Sequence, residues 1–138
     1  MPKPLLIINP VAGKLIARTE FFGMVNVFCR AGYTVTTQIT QFTGHGTQLA
    51  RNAFQEGYSL IVCCGGDGTL NEVITGVLQA ENPIPLGYIP AGSTNDFART
   101  LKIPMSPTLA SEAILKKNSI TISSAFVKPK QRRCYPFW

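Results

Sequence analysis

The chain has 138 residues, 45% of them hydrophobic and 14% charged, with a net charge of +6 and a pI near 9.4. This composition suits one globular domain with a real core and excludes a disordered chain. No stretch approaches the roughly 20 apolar residues of a membrane span, and the run Leu5-Leu6-Ile7-Ile8 is too short for a secretion signal.

In chain order, residues 4–9 form a continuous apolar run of the length expected for a buried strand. A turn at Pro10-Val11-Ala12-Gly13-Lys14 follows. The spacing of Phe21, Met24, Val25 and Phe28 predicts a helix over 20–31 with those residues in the core, stopped by Gly32. Residues 33–40 are rich in β-branched side chains and read as a second strand. The loop Thr43-Gly44-His45-Gly46 leads to a helix over 47–56, stopped by Gly57. A third strand over 60–64 is apolar throughout, as in strands buried on both faces of a parallel sheet. A tight loop over 65–69 precedes a helix over 70–78. Strand 86–89 and a loop over 90–94 follow, then helices over 95–101 and 108–117, and a last strand over 120–126. The basic residues Lys128, Lys130, Arg132 and Arg133 mark 128–138 as a solvated tail.

This alternation predicts an α/β fold: a three-layer, Rossmann-like parallel sheet with helices on both faces. The glycine- and proline-rich loops each follow a strand. They gather at the carboxyl edge of the sheet, where such folds bind ligands. The four cysteines carry no CxxC or His/Cys zinc spacing, and Cys63 and Cys64 read as small core hydrophobes. The basic charge has no aromatic-and-basic nucleic-acid motif beside it, so no nucleic-acid partner is expected. The expected location is the cytoplasm.

Gly65-Gly66-Asp67-Gly68-Thr69 carries the strongest chemical signal. Glycines after a buried strand let backbone N–H groups approach a phosphate, and the next helix adds its positive end. Asp67 can reach magnesium, and Thr69 can cap the helix or bond a phosphate. By itself the pattern is equally an ordinary strand-to-helix turn. It is neither a GK[ST] phosphate loop nor a GxGxxG fingerprint.

Its context is more specific. Gly65 to Val73 resembles the hallmark of the superfamily holding diacylglycerol kinases, sphingosine kinases and NAD kinases. Pro90-Ala91-Gly92-Ser93-Thr94-Asn95-Asp96-Phe97-Ala98-Arg99 is similar to the second hallmark of the bacterial diacylglycerol kinase branch, and Asn9 to Lys14 to its first nucleotide loop. The resemblance covers roughly residues 4–122. NAD kinases lack the Asn-Asp-Phe of the second block, and sphingosine kinases depart from Thr-Leu-Asn-Glu in the first.

The resemblance implies an ATP-dependent lipid kinase moving the γ-phosphate to a lipid hydroxyl, with Mg²⁺. The implied ATP-binding residues begin with Asn9, Pro10, Val11, Ala12, Gly13, Lys14 and Thr40. They continue with Gly65, Gly66, Asp67, Gly68, Thr69, Leu70, Asn71 and Glu72, then Gly92, Ser93, Thr94 and Asn95. Asp67 and Asp96 are the implied magnesium ligands, although Asp96 also suits a plain helix-start carboxylate. His45 is structural or nucleotide-adjacent. The implied partners are ATP, a lipid such as diacylglycerol and the membrane surface that carries it.

Relatives of this kind continue into a β-rich second domain that supplies the catalytic base and most of the lipid pocket. The expectation here is an ATP-binding lobe over 1–127, a basic tail over 128–138 and no second domain. The isolated chain is then inactive, and its open edge self-associates or meets a partner carrying the missing lobe. The alternative is a non-catalytic nucleotide-binding domain, with an NAD kinase less favoured.

Overall fold

The computed structural model describes residues 3–9, 15–92, 95–116, 120–122 and 135–137. Strands β1 (Pro4–Ile8), β2 (Thr36–Ile39), β3 (Leu60–Gly65) and β4 (Leu86–Pro90) alternate with helices α1 (Leu15–Arg30), α2 (His45–Asn52) and α3 (Asp67–Gln79). Then come α4 (Asp96–Thr100), α5 (Pro107–Leu115), β5 (Ile120–Ile122) and β6 (Tyr135–Phe137). The sheet order is β2-β1-β3-β4-β6-β5, and the first four strands are parallel. The expected three-layer α/β architecture is therefore present. Among the described residues, no helix is long and apolar enough to cross a membrane.

Strand alternation explains why β1, β3 and β4 are apolar throughout. Leu5, Ile7, Ile61, Cys63, Leu86 and Tyr88 enter one core, shared with Ala50, Leu70, Val73 and Val77 of α2 and α3. Leu6, Ile8, Leu60, Val62, Cys64 and Ile89 enter the other, shared with Met24 and Phe28 of α1 and Ala110 and Ile114 of α5. Both faces are covered, so neither parity can be polar. Within the expected α1 stripe, Met24 and Phe28 are fully buried, and Phe21 and Val25 pack against them half-buried.

Several element ends differ from expectation. Helix α1 starts at Leu15, five residues early, and β2 is confined to Thr36–Ile39 because Tyr33 closes the end of α1 through its N–H to the Phe28 carbonyl. Helix α2 starts at His45 and ends at Asn52; residues 53–57 form turns that close at Gly57, with φ +91°. The difference that bears on function is α3, which begins at Asp67 and not after residue 69. Glycine marks a loop by composition, but Gly68 is helical here. Residues 135–137, expected in a tail, form β6 between β4 and β5; an apolar Tyr-Pro-Phe triplet is hidden there by basic neighbours. Of the expected last strand, Ile120–Ile122 is present and residues 123–126 lie outside the described residues.

The buried thiols make the fold sensitive to alkali. Burial pushes Cys64 from the ordinary 9.0 up to about 12 and raises Cys63 well above the same value. Above pH 9 the unfolded thiols ionise while the folded ones hold their protons, so stability falls as pH rises. Each thiol contributes about 1.4 kcal/mol of loss per pH unit. Urea unfolding should give a clearly lower midpoint at pH 10 than at pH 8; equal midpoints would contradict the burial of these groups.

Candidate functional site

The strand order reverses between β1 and β3, which opens a crevice at their carboxyl ends. Asn9 leaves β1 there, with its N–H on the Cys64 carbonyl at 3.3 Å and its side-chain amide donating to Thr69 Oγ1 at 3.0 Å. Thr40 leaves β2 beside it and gives its N–H (2.9 Å) and hydroxyl (3.4 Å) to the Ile8 carbonyl. Gly65 ends β3 and Gly66 follows it, as Ala91 and Gly92 follow β4, with the Ala91 N–H on the Gly65 carbonyl at 2.9 Å.

The last two loops touch backbone to backbone. A β-carbon on Gly92 would lie 2.4 Å from the Gly66 Cα, and one on Gly66 would lie 3.1 Å from the Gly92 Cα. Contact between loops is thus a reason for glycine here, beside the approach of a ligand. A β-carbon on Gly65 would meet the Thr69 side chain at 2.8 Å, which leaves no room for a larger residue either.

Gly66 caps α3 in ordinary extended backbone, φ −87°, and the Leu70 N–H returns to its carbonyl at 3.0 Å. Residues 67–69 form the first helical turn, whose N–H groups have no partner inside the helix. This 13-residue helix presents its positive end at the crevice. Its first carboxylate does not simply face outward. Asp67 accepts the Asp96 N–H at 3.0 Å and the Phe97 N–H at 3.1 Å, so it caps α4 and ties the two loops together.

The remaining expected residues take distinct places. Thr69 is buried and holds Asn9, and Leu70 lies in the core, so only the Leu70 backbone faces the loop. Asn71 is exposed, and its carbonyl takes the Thr75 hydroxyl. Glu72 accepts the Gly44 N–H, and its carbonyl takes the Thr47 hydroxyl at 2.8 Å, so it anchors the start of α2. His45 accepts the Gln41 N–H on Nδ1 at 2.9 Å and stacks on Phe42, which fits the structural role open to it. Pro10, Val11, Ala12, Gly13, Lys14, Ser93 and Thr94 lie outside the described residues.

Asn95 closes the second loop. It sits in the left-handed region, φ 53°, where asparagine is among the few side chains tolerated. Its Oδ1 accepts the Gly92 N–H and its Nδ2 donates to the Gly92 carbonyl, both at 2.8 Å. Asn95→Ala loses both bonds and keeps the unfavourable backbone, so we expect a loss of about 2–3 kcal/mol in urea unfolding. A loss below about 0.5 kcal/mol, the range of neutral surface changes, would contradict this role.

Two carboxylates stand at this edge. Asp96 is exposed, with Arg99 loosely paired at 3.9 Å, and its own N–H is held by Asp67. Among the described residues no three His, Cys, Asp or Glu side chains come together around a metal. Of the two expected magnesium ligands, Asp67 thus has its carboxylate on the α4 backbone and Asp96 has its carboxylate in solvent; Mg²⁺ needs only one or two carboxylates and completes its shell with phosphate oxygens and water.

Tyr88 was not singled out by sequence. It is fully buried in β4, and its hydroxyl donates to the Gly65 carbonyl at 2.8 Å. The available signal was a phenol inside an otherwise aliphatic strand, since a buried tyrosine hydroxyl needs a partner.

Comparison with known proteins agrees with this fold. The family described as diacylglycerol kinase catalytic domain matches residues 3–127. A diacylglycerol kinase of Bacillus subtilis (strain 168) is 39% identical over 109 residues, 79% of this chain and 36% of that protein. One from Staphylococcus aureus (strain JH9) is 36% identical over 117 residues, 85% of this chain and 37% of that protein. The crystal structure of a diacylglycerol kinase from Bacillus anthracis str. Sterne superposes with a TM-score of 0.76 at 32% identity, covering 87% of this chain and 41% of that one. The chain thus spans little more than a third of the length of these curated relatives. With the family model matched over nearly the whole chain, and a solved member sharing the fold, the chain belongs to the diacylglycerol kinase catalytic domain family.

Proposed function

We propose that this chain is the ATP-binding part of a lipid kinase that transfers the γ-phosphate of ATP to the hydroxyl of a lipid such as diacylglycerol. The observation that carries this reading is the N-terminus of α3, opening at the strand-order reversal with Gly66 and Gly92 packed backbone to backbone beside it. A polyphosphate laid there meets the first-turn N–H groups of residues 67–69 and the positive end of the helix. Asn9, bonded to Thr69, fixes the mouth of the first loop against that turn.

In the transfer the lipid oxygen bonds to the γ-phosphorus, the bond to the β-phosphate oxygen breaks, and the hydroxyl proton goes to a base. Asp67 and Asp96 are the residues that would hold Mg²⁺, which when bound offsets the charge developing on the phosphates. Asp67 also fixes the distance between the two loops, because both its oxygens hold the start of α4. The base and the lipid-orienting surface belong, on this reading, to the part of the relatives that the chain does not span. Orientation of the acceptor supplies roughly 7–11 kcal/mol of barrier lowering in favourable cases, so the chain alone should transfer phosphate only slowly.

The test is a radiolabelled-ATP assay with diacylglycerol in mixed micelles, beside calorimetry of ATP with magnesium. The reading expects ATP binding with transfer near background from the 138 residues alone. Robust turnover that Asp67→Ala removes would contradict the placement of the base elsewhere. Absence of ATP binding would contradict the reading itself.

A further inference from the structure

Tyr88 touches both halves of the clasp that joins the two glycine loops. Its hydroxyl is on the Gly65 carbonyl, and its ring meets Phe97 edge-on with centroids 6.3 Å apart. The Phe97 N–H is in turn held by Asp67. Packing alone does not call for the hydroxyl, because phenylalanine would fill nearly the same volume. The Gly65 carbonyl does not need it either, since it already accepts the Ala91 N–H. The bond to the carbonyl's second lone pair offsets the desolvation of the buried hydroxyl, with only the small net gain of one hydrogen bond.

What the second donor supplies is direction and polarisation. No cis peptide occurs among the described residues, so the Gly66 N–H points opposite to the Gly65 carbonyl. That carbonyl faces β4, where Tyr88 and Ala91 hold it. The Gly66 N–H therefore faces the β1 side, toward the crevice where the strand order reverses. Two donors on one carbonyl polarise the whole peptide unit and make its N–H a better donor, as in any hydrogen-bonded chain.

We propose that Tyr88 is a positioning residue for the nucleotide phosphates: its hydroxyl orients and polarises the Gly65–Gly66 peptide so that the Gly66 N–H donates to a phosphate oxygen. This rests on the nucleotide-binding reading above. Removing the hydroxyl leaves the Gly65 carbonyl on the Ala91 N–H with one donor fewer, so the peptide is less firmly oriented and ligand binding must order it.

The experiment compares the unsubstituted chain, Tyr88→Phe and Ser111→Ala by calorimetry with ATP and magnesium. Ser111 is the control because its hydroxyl is equally buried and bonds a carbonyl at 2.8 Å, that of Pro107 in α5. Tyr88→Phe should weaken ATP binding about three- to tenfold, the range of one net hydrogen bond. Ser111→Ala should leave it unchanged. Equal affinity in Tyr88→Phe, or an equal loss in Ser111→Ala, overturns the proposal. Amide NMR of the unsubstituted chain gives a second reading that needs no variant. The Gly66 amide proton should move downfield on saturation with ATP, and an unmoved Gly66 resonance overturns the proposal. Failure of the unsubstituted chain to bind ATP would instead remove the underlying reading, and the proposal with it.

Discussion

Gly66→Asp is expected to reduce ATP affinity at least a hundredfold while Gly66→Ala reduces it much less. The backbone at Gly66 is ordinary extended chain, so neither substitution is strained by its φ of −87°. Alanine brings its β-carbon to 3.1 Å from the Gly92 Cα, so the second loop must give by a few tenths of an ångström. Aspartate adds a negative charge at the mouth of the site proposed to hold phosphates. Two like charges 4 Å apart near a protein surface repel by about 4 kcal/mol, close to a thousandfold in binding. Calorimetry on the three proteins separates the steric part from the charge part. Unchanged affinity in Gly66→Asp would mean that phosphates lie elsewhere.

The second large effect concerns stability, and there two physical arguments give opposite signs. Gly76 lies inside α3, and by helix propensity alone Gly76→Ala would stabilise by about 1 kcal/mol. Its β-carbon, however, would lie 2.3 Å from the Thr47 carbonyl oxygen and 2.8 Å from Ala50 Cβ. Helices α2 and α3 pack so closely there that one must move away. Overpacking of this kind costs about 1–3 kcal/mol or more, and a clash with backbone belongs at the upper end. We expect a net loss of about 3 kcal/mol in urea unfolding. The move would also strain the Glu72 contacts to Gly44 and Thr47. Gly68→Ala is the comparison, since a β-carbon at residue 68 meets nothing within 4 Å and should be neutral or mildly stabilising. A Gly76→Ala protein as stable as the parent would contradict the close helix approach.

Much of this architecture is legible in the residues because it follows from periodicity. Strands that are apolar at every position can only be covered on both faces, and helical spacing of Met24 and Phe28 can only point one stripe inward. The loops were locatable for the same reason, since each follows such a strand. What sequence could not supply is which group does which job at the edge. Asp67 was expected on a loop; it opens a helix and, apart from any metal role, caps α4, a contact made across 29 residues of chain. Glu72 was expected only as an ATP-binding residue near the start of its helix, and its side chain also anchors α2. Gly66 and Gly92 each suggest close approach of a ligand, but that they approach each other depends on strand register, which no local pattern encodes. Tyr88 stood out only as a phenol in an aliphatic strand; its partner, a backbone carbonyl 23 residues away, is not encoded locally.

The central claim, that a nucleotide's phosphates sit on the first turn of α3 at the carboxyl edge of the sheet, is tested most directly by amide NMR during titration with ATP and magnesium. The account predicts saturable shifts concentrated at Gly66, Asp67, Gly68, Thr69 and Gly92, absent when adenosine replaces ATP. Saturable shifts gathered away from these loops, or no shifts at them under saturating ATP, would contradict it.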